Sequence, residues 1–243
     1  MELTYDFLAK RIDHSLLAPQ MTDAEIADGC RLAARYRTAS VCVKPHAVAP
    51  ASSILSGTGV AVGTTVGFPH GGHATAVKVF ETRRAVVAGA VEIDMVVNIG
   101  WALGGQWSGV KDDIFDVTRA AHDGGALVKV IFENCYLNDD QKTRLCHICG
   151  EVGADYVKTS TGYGTGGATH DDLRLMRRES PARVKVKAAG GVRTLDAALA
   201  VVELGCDRIG ASATAAILDA WTARLAGRPS LVPRETEASK SGY

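Results

Sequence analysis

The chain has 243 residues, 47% hydrophobic and 22% charged, with 27 Lys and Arg against 27 Asp and Glu. That composition suits one globular domain, and about 250 residues is an ordinary length for a single α/β barrel. No basic stripe or charge block points to nucleic acid, Met1-Glu2-Leu3-Thr4-Tyr5-Asp6 lacks the regions of a secretory leader, and no apolar run reaches the roughly 18 residues of a membrane helix, so a soluble cytoplasmic protein is expected.

In chain order, β-branched apolar runs predict strands over 11–17, 39–43, 60–66, 91–97, 127–132, 155–158, 184–188 and 207–210. Amphipathic stretches over 23–35, 74–88, 110–123, 139–149, 171–178, 195–204 and 213–225 predict the helices between and after them. Thr22-Asp23-Ala24-Glu25, Asn138-Asp139 and Thr194-Leu195-Asp196 read as helix starts, and Gly89, Gly124, Gly150 and Gly205 as helix ends. Strict alternation of strand and helix predicts a parallel sheet, and eight strands predict a closed (β/α)8 barrel. No Gly-x-Gly-x-x-Gly follows the first strand, which speaks against a dinucleotide fold. The six cysteines at 30, 42, 135, 146, 149 and 206 are dispersed and read as small buried hydrophobes rather than disulfides. Cys146-His147-Ile148-Cys149 falls inside the helix between Asn138 and Gly150 and reads the same way.

Two strands end in lysine. Lys158 precedes a Thr159-Ser160-Thr161-Gly162 loop, and Lys187 stands just before Gly190-Gly191. Alternation along each strand sets Glu92, Asp94 and Asn98 opposite Ile93, Met95 and Val97, and sets Lys129 and Glu133 opposite Val128, Val130 and Phe132. The same parity puts Ser40, Cys42 and Lys44 opposite Val41 and Val43, Lys158 opposite Val157, and Lys185 and Lys187 opposite Val184 and Val186. Snorkelling explains one such strand but not the coincidence across four, so the barrel interior reads as polar and catalytic. A lysine held there has its ammonium penalised by burial and like charge, and its neutral amine attacks carbonyls. Lys129 and Lys185 compete for that role, but neither is followed by a loop able to receive a substrate, and Lys185 lies toward the opposite barrel end.

Ala189-Gly190-Gly191-Val192-Arg193 follows the seventh strand and Gly210-Ala211-Ser212-Ala213 the eighth, where this fold cradles phosphate on backbone N–H groups and a helix N-terminus. Gly162 and Gly166-Gly167 join them.

Six stretches together carry a resemblance over nearly the whole chain: Ile12-Asp13-His14-Ser15-Leu16-Leu17, Ala39-Ser40-Val41-Cys42-Val43, Gly67-Phe68-Pro69-His70-Gly71, Glu92-Ile93-Asp94-Met95-Val96, Lys158-Thr159-Ser160-Thr161-Gly162 and Lys187-Ala188-Ala189-Gly190-Gly191-Val192-Arg193. The chain resembles the class I 2-deoxy-D-ribose-5-phosphate aldolases. The resemblance implies a (β/α)8 TIM barrel, a homodimer or larger homo-oligomer, aldehyde and sugar-phosphate substrates, and no metal or cofactor. It implies Lys158 as the Schiff-base lysine, Lys187 as the cation that holds its pKa down, and Asp94 as the proton-transfer group working through water. Asp13 and Ser15 match substrate-positioning residues, and Thr161, Gly162, Gly190, Gly191, Gly210 and Ser212 match phosphate-binding ones. Tyr163 departs from the lysine some members have near the phosphate, and Ala213 from a second serine. Cys42 is expected beside the pocket, either as packing or as a target of reactive aldehydes.

The barrel is expected over 1–227, with 228–243 as a flexible tail rich in Pro, Ser and Glu. The resemblance implies that the terminal Tyr243 reaches the site to move the proton at the enamine carbon. Three rival readings are a metal aldolase using His70 and His73, which lacks a clear third ligand, a transaldolase-like lysine aldolase with another donor, against which the several motifs together speak, and a phosphosugar-binding barrel without catalysis, which has no need for Asp94, Lys158 and Lys187 together.

Overall fold

The computed structural model describes residues 3–227. Each β-branched run forms its strand: β1 Ile12–Leu16, β2 Ser40–Val43, β3 Ala61–Val66, β4 Glu92–Val96, β5 Leu127–Ile131, β6 Tyr156–Lys158, β7 Lys185–Ala189 and β8 Arg208–Ala211. All neighbours pair in parallel, and β8 returns to β1 with Ile12 opposite Ile209, so the sheet closes into an eight-stranded barrel. Closure removes both sheet edges, which a parallel sheet of this size otherwise has to cover.

The helices are α1 Tyr5–Ala9, α2 Asp23–Tyr36, α3 Val48–Leu55, α4 Thr75–Val87 and α5 Ile99–Leu103, then α6 Trp107–His122, α7 Asp139–Val152, α8 His170–Glu179, α9 Leu195–Glu203 and α10 Thr214–Leu225. Thr22 and Asn138 each form a full capping box, with Glu25 and Gln141, and Thr194 caps α9 by accepting from Ala197 N–H. Three elements were not legible in the sequence: α1, α3 and α5, all eight residues or shorter. Two turns of helix are too few for a 3.6-residue period to stand out, and Pro50 inside α3 reads as a breaker although the first helical turn tolerates it.

Gly150 is a correction. It lies inside α7, which runs on to Val152 and ends on Gly153 in the left-handed region (φ 87°). Glycine is needed at 150 for space instead, since a Cβ there would sit 2.8 Å from Pro181 Cγ.

The apolar core is the layer between sheet and helices, where the outward strand residues Ile93, Met95, Val128, Val130 and Val186 are fully buried. Two buried ion pairs lock helices together there: Lys78 to Asp113 at 2.6 Å between α4 and α6, and Lys142 to Asp172 at 2.6 Å between α7 and α8. Lys78 also donates to the carbonyl of Val96 at 2.9 Å, which ties the end of β4 to the helix layer. Cys146 and Cys149 are buried in α7, and burial pushes the Cys146 thiol up to about 12, so this C-x-x-C is packing. Among the described residues, no helix is long and apolar enough to cross a membrane.

Candidate active site

Strand parity carries most of the inward charges to one place. Register sets Asp94 beside Lys129, Lys158 beside Lys187, and Lys187 beside Arg208, so these side chains share the barrel interior. Asp94 is fully buried and sits at the hub. Its Oδ2 accepts from Lys158 Nζ at 2.7 Å and from Lys187 Nζ at 2.8 Å, while its Oδ1 accepts from Lys129 Nζ at 2.8 Å. Lys187 Nζ also lies 2.6 Å from Asp13 Oδ2, and Lys129 Nζ donates to Glu92 Oε2 at 2.6 Å.

The lysines differ in electrostatics although all three are buried. Burial lowers the pKa of Lys158, Asp94 works against it, and Lys187 adds like-charge repulsion; the balance falls below the ordinary lysine value. Burial opposes the ammonium of Lys187 too, but Asp13 and Asp94 together outweigh it and hold Lys187 above that value. Lys129 is held well above it, with Asp13, Asp94 and Glu92 overcoming burial. Lys129 and Lys187 are therefore held as ammonium ions, and Lys158 is the one of the three whose ammonium form is disfavoured. Lys185 is exposed at the far end of β7, over the Tyr156 ring at 5.6 Å. Burial works against ionised Asp94, but its three lysines hold its carboxyl well below the usual range.

A cavity of about 310 Å³ opens above this charge layer. Lys158, Lys187, Asp13, Ser15 and Cys42 line its floor and walls, and Thr161, Gly162, Gly190, Gly191, Gly210 and Ser212 line the loops around it, joined by Arg193. Asp94 does not reach the cavity wall and meets it only through the two lysines. The loops after β6 and β7 interlock: a Cβ on Gly167 would sit 2.4 Å from the carbonyl oxygen of Gly190, and Gly190 itself has φ 82°. Thr194 caps α9 directly beyond this loop, so a helix N-terminus faces the same end of the barrel. Tyr163 forms a side wall, donating from Oη to the carbonyl of Leu17 at 2.6 Å and meeting Phe68 edge-on at 5.3 Å. Burial, with Asp94 next, pushes the Cys42 thiol up to about 11, which leaves it protonated at neutral pH. His70 and His73 are exposed on the loop after β3, His73 facing Glu81 at 3.4 Å. Tyr243 lies outside the described residues.

One residue of the site was missed, Arg208, and a second, Glu133, was placed on the inward face without its role. Arg208 turns inward from the start of β8 and binds both Asp13 and Glu92. Glu133, with φ 58°, accepts from the backbone N–H and hydroxyl of Thr161 and so holds the loop that follows Lys158. Parity along 207–210 was enough to find Arg208; parity did set Glu133 on the inward face, but its role depends on a partner 28 residues away.

Residues 7–222 match the model of the DeoC/LacD family aldolases. A deoxyribose-phosphate aldolase of Rhodopirellula baltica is 51% identical over 98% of this chain and 98% of its own. Among solved structures, "QR15, an Aldolase" superposes with a TM-score of 0.86 at 36% identity, covering 90% of this chain and 97% of that one. The deoxyribose phosphate aldolase of Aeropyrum pernix, described as a tetramer, does so with a TM-score of 0.85 at 30% identity, covering 91% and 93%. A match over almost the whole barrel, joined to an interior in which one of the three lysines around Asp94 is disfavoured as a cation, makes this chain a member of the DeoC/LacD aldolase family.

Proposed function

We propose that the chain is a class I aldolase that reversibly cleaves 2-deoxy-D-ribose 5-phosphate to acetaldehyde and D-glyceraldehyde 3-phosphate, with Lys158 as the imine-forming residue. The observation that carries this is the contrast between Lys158 and its neighbours, one amine disfavoured as a cation beside two lysines held as ammonium ions. Lys158 Nζ attacks C1 of the open-chain sugar, and loss of water from the carbinolamine gives the imine. Removal of the proton from the C3 hydroxyl then breaks the C2–C3 bond. The electrons flow into the iminium, which leaves an enamine on Lys158 and frees the three-carbon aldehyde. Protonation of the enamine at C2 and hydrolysis release acetaldehyde. Asp94 and Lys187 act as the proton reservoir for the water-forming steps, and Asp13 and Ser15 orient the substrate hydroxyls. Thr161, Gly162, Gly190, Gly191, Gly210 and Ser212 hold the phosphate on backbone N–H groups and hydroxyls, with Arg193 at the rim. Tyr243 delivers a phenol to the enamine carbon from the segment 228–243, which we read as a tail separate from the barrel of 1–227. We also propose assembly with further copies of the chain, for which the exposed side chains of Val77, Phe80 and Val87 along α4 speak.

Borohydride reduction in the presence of acetaldehyde, followed by peptide mapping, tests the centre of this reading. A single reduced two-carbon adduct on Lys158 is expected, in the parent and in a variant lacking Tyr243 alike, with turnover reduced only in the latter. An adduct on Lys187, Lys185 or Lys129 overturns the assignment of the nucleophile, and equal turnover without Tyr243 removes the phenol from the mechanism.

A further inference from the structure

The charges under the cavity form a closed ring. Arg208 binds Asp13 through Nη1 and donates from Nη2 to Glu92 Oε1 at 2.9 Å. Glu92 accepts from Lys129 at 2.6 Å, Lys129 donates to Asp94 at 2.8 Å, and Asp94 accepts from Lys187 at 2.8 Å. Lys187 closes the circuit on Asp13 at 2.6 Å. Three cations alternate with three carboxylates, so the ring is neutral in itself. Lys158 hangs outside it, bonded among the described residues to Asp94 Oδ2 at 2.7 Å, a fourth basic group for which the ring provides no fourth carboxylate.

We propose that Arg208 and Glu92 are positioning residues for the aldol reaction: by closing this ring they commit Asp13 and Asp94 to fixed cations and leave Lys158 without a counter-ion of its own. The inference rests on Lys158 as the imine lysine. Neither residue lines the cavity, so neither touches substrate, and their effect passes through Asp13, Lys129 and Asp94. The other polar groups around Lys158 do not disturb the balance. Cys42 from β2 remains a thiol, Tyr156 from β6 is a buried phenol against the Arg208 guanidinium, and β3 contributes no titratable side chain. Glu133 beyond β5 is taken up by Thr161, and Arg193 stands at the cavity rim.

Removing one member changes the sign of what Lys158 meets. Without the Arg208 charge a carboxylate is left over, and the Lys158 ammonium becomes its partner. Without the Glu92 charge the ring carries an excess cation, and the ammonium is repelled further. The test is the pH dependence of borohydride trapping of acetaldehyde on Lys158 in the parent, Arg208→Met, Glu92→Gln and the double variant. The midpoint of the acid limb is expected to rise by about one pH unit in Arg208→Met and to fall by about as much in Glu92→Gln, the size of a unit charge acting across several ångströms at an effective dielectric constant near 20. On the acid limb this makes trapping about tenfold slower in Arg208→Met than in the parent. The double variant, balanced again, returns to the parent midpoint. A merely structural role lowers the melting temperature without moving the two midpoints apart, so midpoints that stay together or shift the same way overturn the inference. Should either single variant fail to fold, Arg208→Lys and the double variant decide it, since both keep the balance and a displaced midpoint in a folded sample of either overturns it. Absence of any Lys158 adduct in the parent defeats the aldolase mechanism instead, a different result from an adduct whose pH midpoint ignores the ring.

Discussion

Lys158, Lys187 and Lys129 share a strand face, a depth of burial and a carboxylate, and differ only in how many anions each can reach. Lys129 and Lys187 each meet at least two; Lys158 meets Asp94 alone. Partner number, more than burial, therefore separates the lysine whose pKa is lowered from the two whose pKa is raised. Burial and like charge from Lys187, both expected from the sequence, are both present, with burial the larger cause and Lys187 itself held cationic by Asp13 and Asp94. Parity alone was enough to collect the inward residues, yet partner number depends on distances between strands, which no single strand encodes. Asp94→Asn keeps the shape of the hub but removes its charge. Lys158 then loses the anion that works against the lowering of its pKa, so trapping on Lys158 should persist while turnover drops by about 10²- to 10⁴-fold with the proton reservoir gone. A fall of less than tenfold would show that proton transfer runs through other groups.

At the scale of elements, the period-two and period-3.6 patterns located all eight strands and the seven longer helices, because each has one face against a core. Residues whose constraint comes from a distant neighbour were misread or invisible, as Gly150 illustrates. Alanine at 150 suits an interior helical position by about 1 kcal/mol, but its Cβ meets the Pro181 ring, and overpacking of that kind costs about 1–3 kcal/mol. Gly150→Ala should therefore lower the melting temperature. In a Pro181→Ala background, where the ring is gone, the same change should raise it. Loss of stability in both backgrounds would mean that the packing explanation is wrong.

For the whole molecule, acid stability is governed first by a group outside the reaction. His14 faces away from the cavity under α10, with Nδ1 2.8 Å from the Thr214 hydroxyl, and burial lowers its pKa from 6.5 to about 4. Between those values the unfolded chain binds a proton that the folded one refuses. Stability is thus full above about pH 6.5 and declines as pH falls toward 4, by up to about 3 kcal/mol. Thermal melts across this window should show that slope in the parent and a flatter one in His14→Asn; equal slopes would assign the effect elsewhere. The proposed assembly belongs to the same scale. Light scattering should give a mass of at least two chains, and charges placed at Val77 and Phe80 should lower it; a monomeric parent removes the proposed role of the α4 stripe.

The ring of ions also bears on how the barrel finds its alignment. Its members come from β1, β4, β5, β7 and β8, and it spans the seam where the last strand meets the first. Apolar strands tolerate a shifted neighbour, since one valine replaces another. Here a slip of β4 by a single residue would turn Glu92 and Asp94 out into the apolar layer and leave Lys129, Lys187 and Arg208 inside with Asp13 as their one ring carboxylate. The site thereby checks its own assembly: only the alignment that makes the barrel catalytically competent can bury it at all.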